Sequence, residues 1–203
     1  MIDHLVYVVA DLPAAVRHLE KQLGARFTTG GRHPDRGTVN ALLRLDAGAY
    51  LELLAIDPEA PEGMSCWMGA QLLPEDVGHG GVLTRWAWNA GNDLESLRAC
   101  LPQPAEVSEG MRRTARGRLL RWRMTEPGSR PLVSATPFLL DWLDTPHPGD
   151  TLPASSCRLA KLIVRTPDAF PRFHADDRVE FYPAPRVSLE AHIVSPRGEV
   201  VLR

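Results

Sequence analysis

Glu52 is the residue of this 203-residue chain whose placement most needs a chemical reason. It stands in Tyr50-Leu51-Glu52-Leu53-Leu54-Ala55, where strand alternation puts Tyr50, Glu52 and Leu54 on one face and Leu51, Leu53 and Ala55 on the other. A carboxylate there is costly to bury unless it is paired, hydrogen-bonded or bound to a metal. An ion pair with Arg44 or Arg85 would satisfy it structurally, and a place in a pocket would make it a base or a ligand. His4 sits among apolar residues of the first strand. It reads either as a core histidine bonded to backbone or as an acid/base or ligating imidazole.

Other candidates surround these two. Gly30 to Gly37 holds Arg32, His33 and Arg36 among residues that break regular structure, so it is either a solvated loop or a lid bringing guanidinium groups over an anionic substrate. Trp86, Trp88, Trp122 and Trp142 suit a core or a ligand platform. The basic run from Met111 to Arg118 has no interleaved aromatics and reads as a solvated loop or as a place that captures an anionic ligand. His79-Gly80-Gly81 lacks the features of a phosphate-binding loop, and no nucleophile elbow or HExxH zinc motif is present.

The elements that must position these residues follow a repeating order. Ile2 to Val9 is a β-branched strand with Ile2, His4, Val6 and Val8 on one face. Asp11 caps a helix whose Leu12, Val16, Leu19 and Leu23 form one stripe, and Gly24 stops it. Thr38 to Leu45 and Ala49 to Ile56 form a hairpin. After an irregular stretch, Val82 to Trp88, a short helix with Leu94, Leu97 and Leu101, and strands over Arg118 to Met124 and Thr136 to Leu143 repeat the β-α-β-β order. Superposing the Glu52 strand on Leu139-Leu140-Asp141-Trp142 places Asp141 at the position of Glu52 and Trp86 at that of His4. The tail offers a strand over Arg158 to Val164, a degenerate helix over Pro167 to Asp177, and a hairpin turning at Ser195 to Gly198. It reads as a third, eroded copy that completes the sheet and covers an edge.

Composition bounds the function. With 44% hydrophobic and 24% charged residues the chain is ordinary globular protein, and a net charge of -2 exerts no general pull toward nucleic acid or anionic membrane. No apolar run is long enough for a membrane span and no signal-like segment opens the chain, so a cytoplasmic location is expected. The three scattered cysteines read as reduced structural thiols.

Paired β-α-β-β units with a histidine in the first strand and a glutamate in a later strand of the same unit resemble the vicinal oxygen chelate superfamily. That superfamily includes glyoxalase I, extradiol ring-cleaving dioxygenases and bleomycin-type resistance proteins. Ile2 to Tyr7, Gly31-Arg32-His33-Pro34, Thr38 to Leu43, Tyr50-Leu51-Glu52-Leu53 and Pro137 to Trp142 together look like the glyoxalase-like domain proteins over nearly the whole chain. The resemblance implies a single α+β domain over residues 1–203, with fused βαββ units near 1–57, 81–144 and 157–203. Their mixed sheets would curve around a cavity. It also implies that His4 and Glu52 are ligands to a divalent metal (Mn, Fe, Ni or Zn). On this pattern Gly37-Thr38-Val39-Asn40 has valine where the family tends to histidine, with Asn40 facing the substrate. Trp86 and Asp141 stand at the second unit's ligand places.

Two functions are therefore expected from different classes. One is an enzyme acting on a small, oxygen-rich or anionic molecule, as lyase, isomerase or dioxygenase. In it His4 and Glu52 hold a metal or act as a metal-free acid/base pair, while Arg32, His33, Asn40, Arg85, Trp86, Asp141 and Trp142 bind substrate. The other is a metal-free binding protein that sequesters a small molecule with tryptophans and arginines. Open curved sheets pair their edges, so a homodimer is compatible with either.

Overall fold

The protein is described from a computed structural model at residues 1–46, 48–77, 80–102, 105–113, 117, 119–168 and 176–203. β1 (Ile2–Val9) leads into α1 (Leu12–Leu23), where the Asp11 carboxylate accepts the Ala14 N–H and Gly24 closes the helix in the left-handed region at φ 65°. The helix's apolar stripe buries Ala15, Leu19 and Leu23. β2 (Thr28–His33), β3 (Thr38–Arg44) and β4 (Tyr50–Ile56) complete the first unit. The second unit is β5 (Gly81–Asn89), short α2 (Leu94–Arg98), β6 (Val107–Arg113), β7 (Leu119–Thr125) and β8 (Phe138–Asp141).

Each unit thus carries one strand beyond the β-α-β-β order read from the sequence. The extra strands, β2 and β6, are the two edges of one eight-stranded sheet with the order β2-β3-β4-β1-β5-β8-β7-β6. β2 runs into the Gly30 to Gly37 stretch expected as loop, where its glycines serve close approach. A Cβ on Gly30 would lie 2.0 Å from Asn40 Oδ1. The two edges approach each other across the open side, so the sheet curls into a half-barrel.

The register reveals the internal symmetry. β1 and β4 are parallel, aligning His4 with Tyr50 and Val6 with Glu52. β5 and β8 are also parallel, aligning Ala87 with Phe138 and Asn89 with Leu140. β1 and β5 are antiparallel and His4 pairs with Ala87. A local twofold between His4 and Ala87 therefore relates Tyr50 to Phe138 and Glu52 to Leu140. This corrects the superposition expected from sequence by one residue, which in a strand exchanges the faces. Neither Trp86 nor Asp141 occupies a ligand-equivalent place.

The curled sheet has two differently clothed faces. Its concave side carries Val6, Val8, Leu54, Ala87, Trp122, Met124, Phe138, Leu140 and Trp142. Its convex side packs Leu5, Tyr7, Leu51, Leu53, Trp86 and Trp88 against both helices. After α3 (Pro148–Thr151), the chain forms β9 (Arg158–Thr166), β10 (Val179–Pro183), β11 (Ser188–Ser195) and β12 (Gly198–Leu202). The β11–β12 hairpin forms as expected, but the tail does not extend the large sheet. It builds its own, ordered β10-β9-β11-β12, and places Leu162, Val164, Leu189, Ala191 and Ile193 in the convex core. Side chains such as Leu162, fully buried there, each contribute about 1.5–3 kcal/mol. The backing sheet thus stiffens the wall from which the site projects.

The helix expected over 167–177 falls mostly on 169–175, outside the described residues, as do His79 and positions 114–116 and 118 of the basic run. Among the described residues no helix is long and apolar enough to cross a membrane.

Candidate functional site

The concave floor is organised by a bulge in β1. Ile2 pairs with Trp88 and His4 with Ala87, leaving Asp3 as an extra residue. Strict alternation would put Asp3 on the convex face with Leu5. The bulge instead turns Ile2 into the convex core and brings Asp3 to the same side as His4. Asp3 is fully buried and accepts three bonds. His4 Nδ1 lies 2.7 Å from Oδ1, and Trp142 Nε1 and His147 Nε2 reach Oδ2 at 2.8 and 2.9 Å. Gly149 N–H donates to His147 Nδ1, which leaves the His147 Nε2–H to donate to Asp3.

On its other side, His4 Nε2 faces Glu52 Oε2 at 3.4 Å. Val6 pairs with Glu52 across β1 and β4, so the two side chains project from neighbouring strands two residues apart in register. Asn40, on β3, donates from Nδ2 to Glu52 Oε1 at 2.5 Å, and its Oδ1 accepts the Gly31 N–H at 2.7 Å, which fixes the amide's orientation. The Tyr50 ring stacks on the imidazole at 4.5 Å and Phe138 meets its edge. His4 is thereby held in plane, in position and in charge state.

Burial alone would push the His4 imidazole toward neutrality. The hydrogen bonds and charges of Asp3 and Glu52 outweigh it and raise the pKa to about 9. Burial likewise opposes ionisation of the two carboxylates, yet bonds from His147 and His4 hold Asp3 well below the usual range, and His4, His33 and Asn40 lower Glu52. At neutral pH the floor is a chain of carboxylate, imidazolium and carboxylate, ending on a Glu52 that faces the cavity.

The inner cavity is small, about 40 Å³. His4, His33, Asn40 and Glu52 give it one polar side. Its opposite wall is Trp122, Met124, Phe138, Leu140 and Trp142, and Trp67 and Met68 also line it. These last two belong to a short 3₁₀ segment, Trp67–Leu72, broken by left-handed backbone at Met68 (φ 58°) and Gly69 (φ 81°). For Met68 that conformation costs on the order of 1–2 kcal/mol. A bond from Met68 N–H to the Gly128 carbonyl holds it, and a Cβ on Gly69 would lie 2.8 Å from the Leu132 carbonyl oxygen.

The structure brings His4, Glu52, Asn40, His33, Trp122 and Trp142 around this cavity and leaves Arg32, Arg85, Trp86 and Asp141 elsewhere. Arg32 is clamped by Asp57 and Glu59, at 2.7 and 2.6 Å, and does not line the cavity. Arg85 does not pair with Glu52. Its guanidinium donates to the carbonyls of Thr84, Pro127, Pro131 and Leu132 and so ties a loop to β5. Trp86 lies in the convex core with Nε1 on the Ala135 carbonyl. Asp141 accepts the Leu143 N–H and lies outside the cavity lining. Sequence reasoning missed Asp3 and His147. The adjacency of Asp3 to His4 was visible, but the bulge that makes it useful was not.

The donor set does not fit a divalent metal. The local twofold puts Ala87 and Leu140 where the first unit has His4 and Glu52, so the second unit offers methyl groups in place of donors. Among the described residues no group of three or more His, Cys, Asp or Glu side chains is placed to hold an ion. The two donors present are already bonded to each other and to Asp3 and Asn40.

Comparison with known proteins agrees with this architecture. Among solved structures, a hypothetical protein from Staphylococcus aureus matches with a TM-score of 0.55 at 13% identity, over 100% of this chain and 84% of that one. Methylmalonyl-CoA epimerase from Mycobacterium tuberculosis matches with a TM-score of 0.48 at 22% identity, over 70% and 87%. The Streptomyces coelicolor methylmalonyl-CoA epimerase in complex with 2-nitronate-propionyl-CoA matches with 0.46 at 19%, over 69% and 95%. At such identities the likeness is one of fold. No curated protein matches the chain. A family model described as a glyoxalase-like domain matches residues 2–176. With its paired units and concave His4–Glu52 floor, the chain belongs to the glyoxalase-like domain family of the vicinal oxygen chelate superfamily.

Proposed function

We propose that the chain is a metal-independent enzyme that moves a proton at a carbon next to a carbonyl of a small, oxygen-bearing molecule. The observation that carries this reading is the buried Asp3–His4–Glu52 chain on the cavity floor. Glu52 would take the proton, and negative charge would collect on the carbonyl oxygen. His4 would donate its Nε2–H to that oxygen without giving up the proton, acting as a fixed cation in a dry site. Return of the proton from Glu52 to the same face gives exchange alone, and its delivery to a neighbouring atom of the enolate, or protonation of the opposite face, completes an isomerisation.

The 3.4 Å contact between His4 and Glu52 is long for a charge-assisted bond, so a substrate oxygen can replace Glu52 as the acceptor of the Nε2–H at small cost while the ring keeps its place. Losing that partner raises the basicity of Glu52, because burial by itself opposes its ionisation. Arriving substrate thus turns a weak base into a stronger one. Asp3, pinned by His147 and Trp142, keeps the imidazole charged throughout. The apolar second-unit wall favours a second reading, a protein that holds such a molecule without converting it.

One experiment tests both. A panel of α-keto acids and thioesters with exchangeable α-protons is incubated with the protein in D₂O, and loss of the α-proton signal is followed by NMR. Exchange is expected for at least one member, falling by about 100-fold or more in Glu52→Gln with the melting temperature kept. Exchange at an unchanged rate in Glu52→Gln overturns the reading, and saturable binding without exchange moves it to the binding protein.

A further inference from the structure

Next to the inner cavity lies a second, larger one of about 600 Å³, within the range of small-molecule sites. His33, Arg36 and Trp67 line one side, and Gly110, Arg121 and Trp122 line the other. His33, Trp67 and Trp122 line the inner cavity as well, so the two spaces share a wall of three flat side chains. Building on the proposed proton-transfer site, we infer that this outer space is a subsite for a planar, aromatic part of the ligand. That part lies flat against the Trp67 and Trp122 indoles, while the oxygen-bearing end reaches His4 and Glu52.

Three features of the shared wall support the inference. Trp67 is 7% exposed and its Nε1 is a buried donor without a partner. Arg36 Cζ lies 4.4 Å from the Trp67 ring centroid and its Nη2 is 2.5 Å from Glu126 Oε1, so an ion-paired guanidinium fixes the indole plane. Across the cavity a Cβ on Gly110 would lie 2.3 Å from the Trp122 ring, so the glycine is what lets that indole lie against β6. Two held indoles and an imidazole at one junction suit stacking on a flat ring. The lining includes Arg36 and Arg121 but also Asp35 and Glu109, so charge alone does not select the ligand. The inner space accepts only a small group, which gives the ligand a narrow polar end and a broad flat body.

Phenylglyoxylate tests this, because it joins two vicinal oxygens to a planar ring and has no α-proton to lose. Pyruvate is the ring-free control. Binding to the full chain is followed through the indole N–H resonances of the five tryptophans, assigned by Trp→Phe substitution. The expected result is saturable binding of phenylglyoxylate at least tenfold tighter than pyruvate, a shift of the Trp67 indole proton, and at least tenfold weaker binding in Trp67→Phe. Gly110→Val, which displaces Trp122 at the edge strand, should weaken phenylglyoxylate more than pyruvate. Equal affinity for the two acids, no binding of phenylglyoxylate, or an unmoved Trp67 resonance overturns the subsite. If Trp67→Phe weakens binding while α-proton exchange in the substrate panel is unchanged in Glu52→Gln, the subsite stands and the proton-transfer reading falls.

Discussion

Asp3 shows how one side chain can set the charge of another. Its carboxylate accepts from His4, His147 and Trp142 at once, and with Glu52 it keeps His4 protonated up to about pH 9, against an ordinary value of 6.5. The sign for stability follows. A histidine whose pKa rises on folding contributes stability that is fully present below 6.5 and is lost as pH climbs from there through about 9. Asp3 and Glu52, both lowered from 3.8 and 4.5, contribute stability present above those values and lost as pH falls through their folded pKa values. Urea unfolding should therefore show a plateau near pH 5 to 6 and an alkaline decline over pH 6.5 to 9. In Asp3→Asn the amide can still accept from Trp142 and His147, but its NH₂ then faces His4 Nδ1 and forces that nitrogen to accept. The imidazole becomes neutral, and a loss of about 3 kcal/mol is expected at pH 6, shrinking above pH 9 where the wild-type proton is gone as well. An equal loss at every pH would show that Asp3 acts by packing alone. At this scale the sequence was informative about His4, Glu52 and Asn40, because polar residues in apolar strands are conspicuous. Asp3 was hidden because its face depends on a bulge, and Arg85 misled because a buried guanidinium can be spent on loop carbonyls as readily as on a carboxylate.

At the scale of elements, the site depends on strands that carry little signal of their own. β2 and β6 are edges rich in Gly, Thr, Ser and charged residues, so neither shows the apolar alternation of β1 or β4. The central strands, α1 and the final hairpin were legible from periodicity, capping and turn residues, whereas edge strands are defined by the neighbour they pair with. β2 nevertheless orients the base. Gly31 N–H holds the Asn40 carbonyl, which aims the Asn40 amide at Glu52. A methyl group on Gly30 would meet Asn40 Oδ1 at 2.0 Å and push this amide away. Gly30→Ala should therefore destabilise the fold by about 1–3 kcal/mol and cut any Glu52-dependent exchange by tenfold or more, as does Asn40→Ala. The two changes made together should cost less than the sum of their separate effects, since they break one contact. A double-mutant cycle read by urea unfolding and α-proton exchange checks this, and strict additivity would mean that Gly30 serves β2 alone.

Across the whole molecule, the local twofold explains why one half of the cavity is polar and the other is not. Duplicated units place equivalent positions around one axis, and here the first unit has His4 and Glu52 where the second has Ala87 and Leu140. The curled sheet brings all four together, so the scaffold has the shape of a four-donor centre with half of its donors replaced by apolar groups. The backing sheet of β9 to β12 keeps that wall rigid from behind, which lets single substitutions be read as local chemistry. Leu140→Glu restores the symmetric partner of Glu52 at a position that lines the inner cavity and is 2% exposed. Without metal it buries a third carboxylate beside Glu52, and like charges in a dry site should lower stability by about 3 kcal/mol. A divalent ion held by His4, Glu52 and the new carboxylate would reverse that loss, because a ligand that binds only the folded state raises its stability with concentration. Melting curves with and without 1 mM (about 1,000-fold over a micromolar Kd) Mn²⁺ or Zn²⁺ should therefore show the variant gaining roughly 4 kcal/mol while the wild type is unmoved. A wild-type gain of the same size would mean that His4 and Glu52 already suffice for metal and that the apolar half of the site is no obstacle to it.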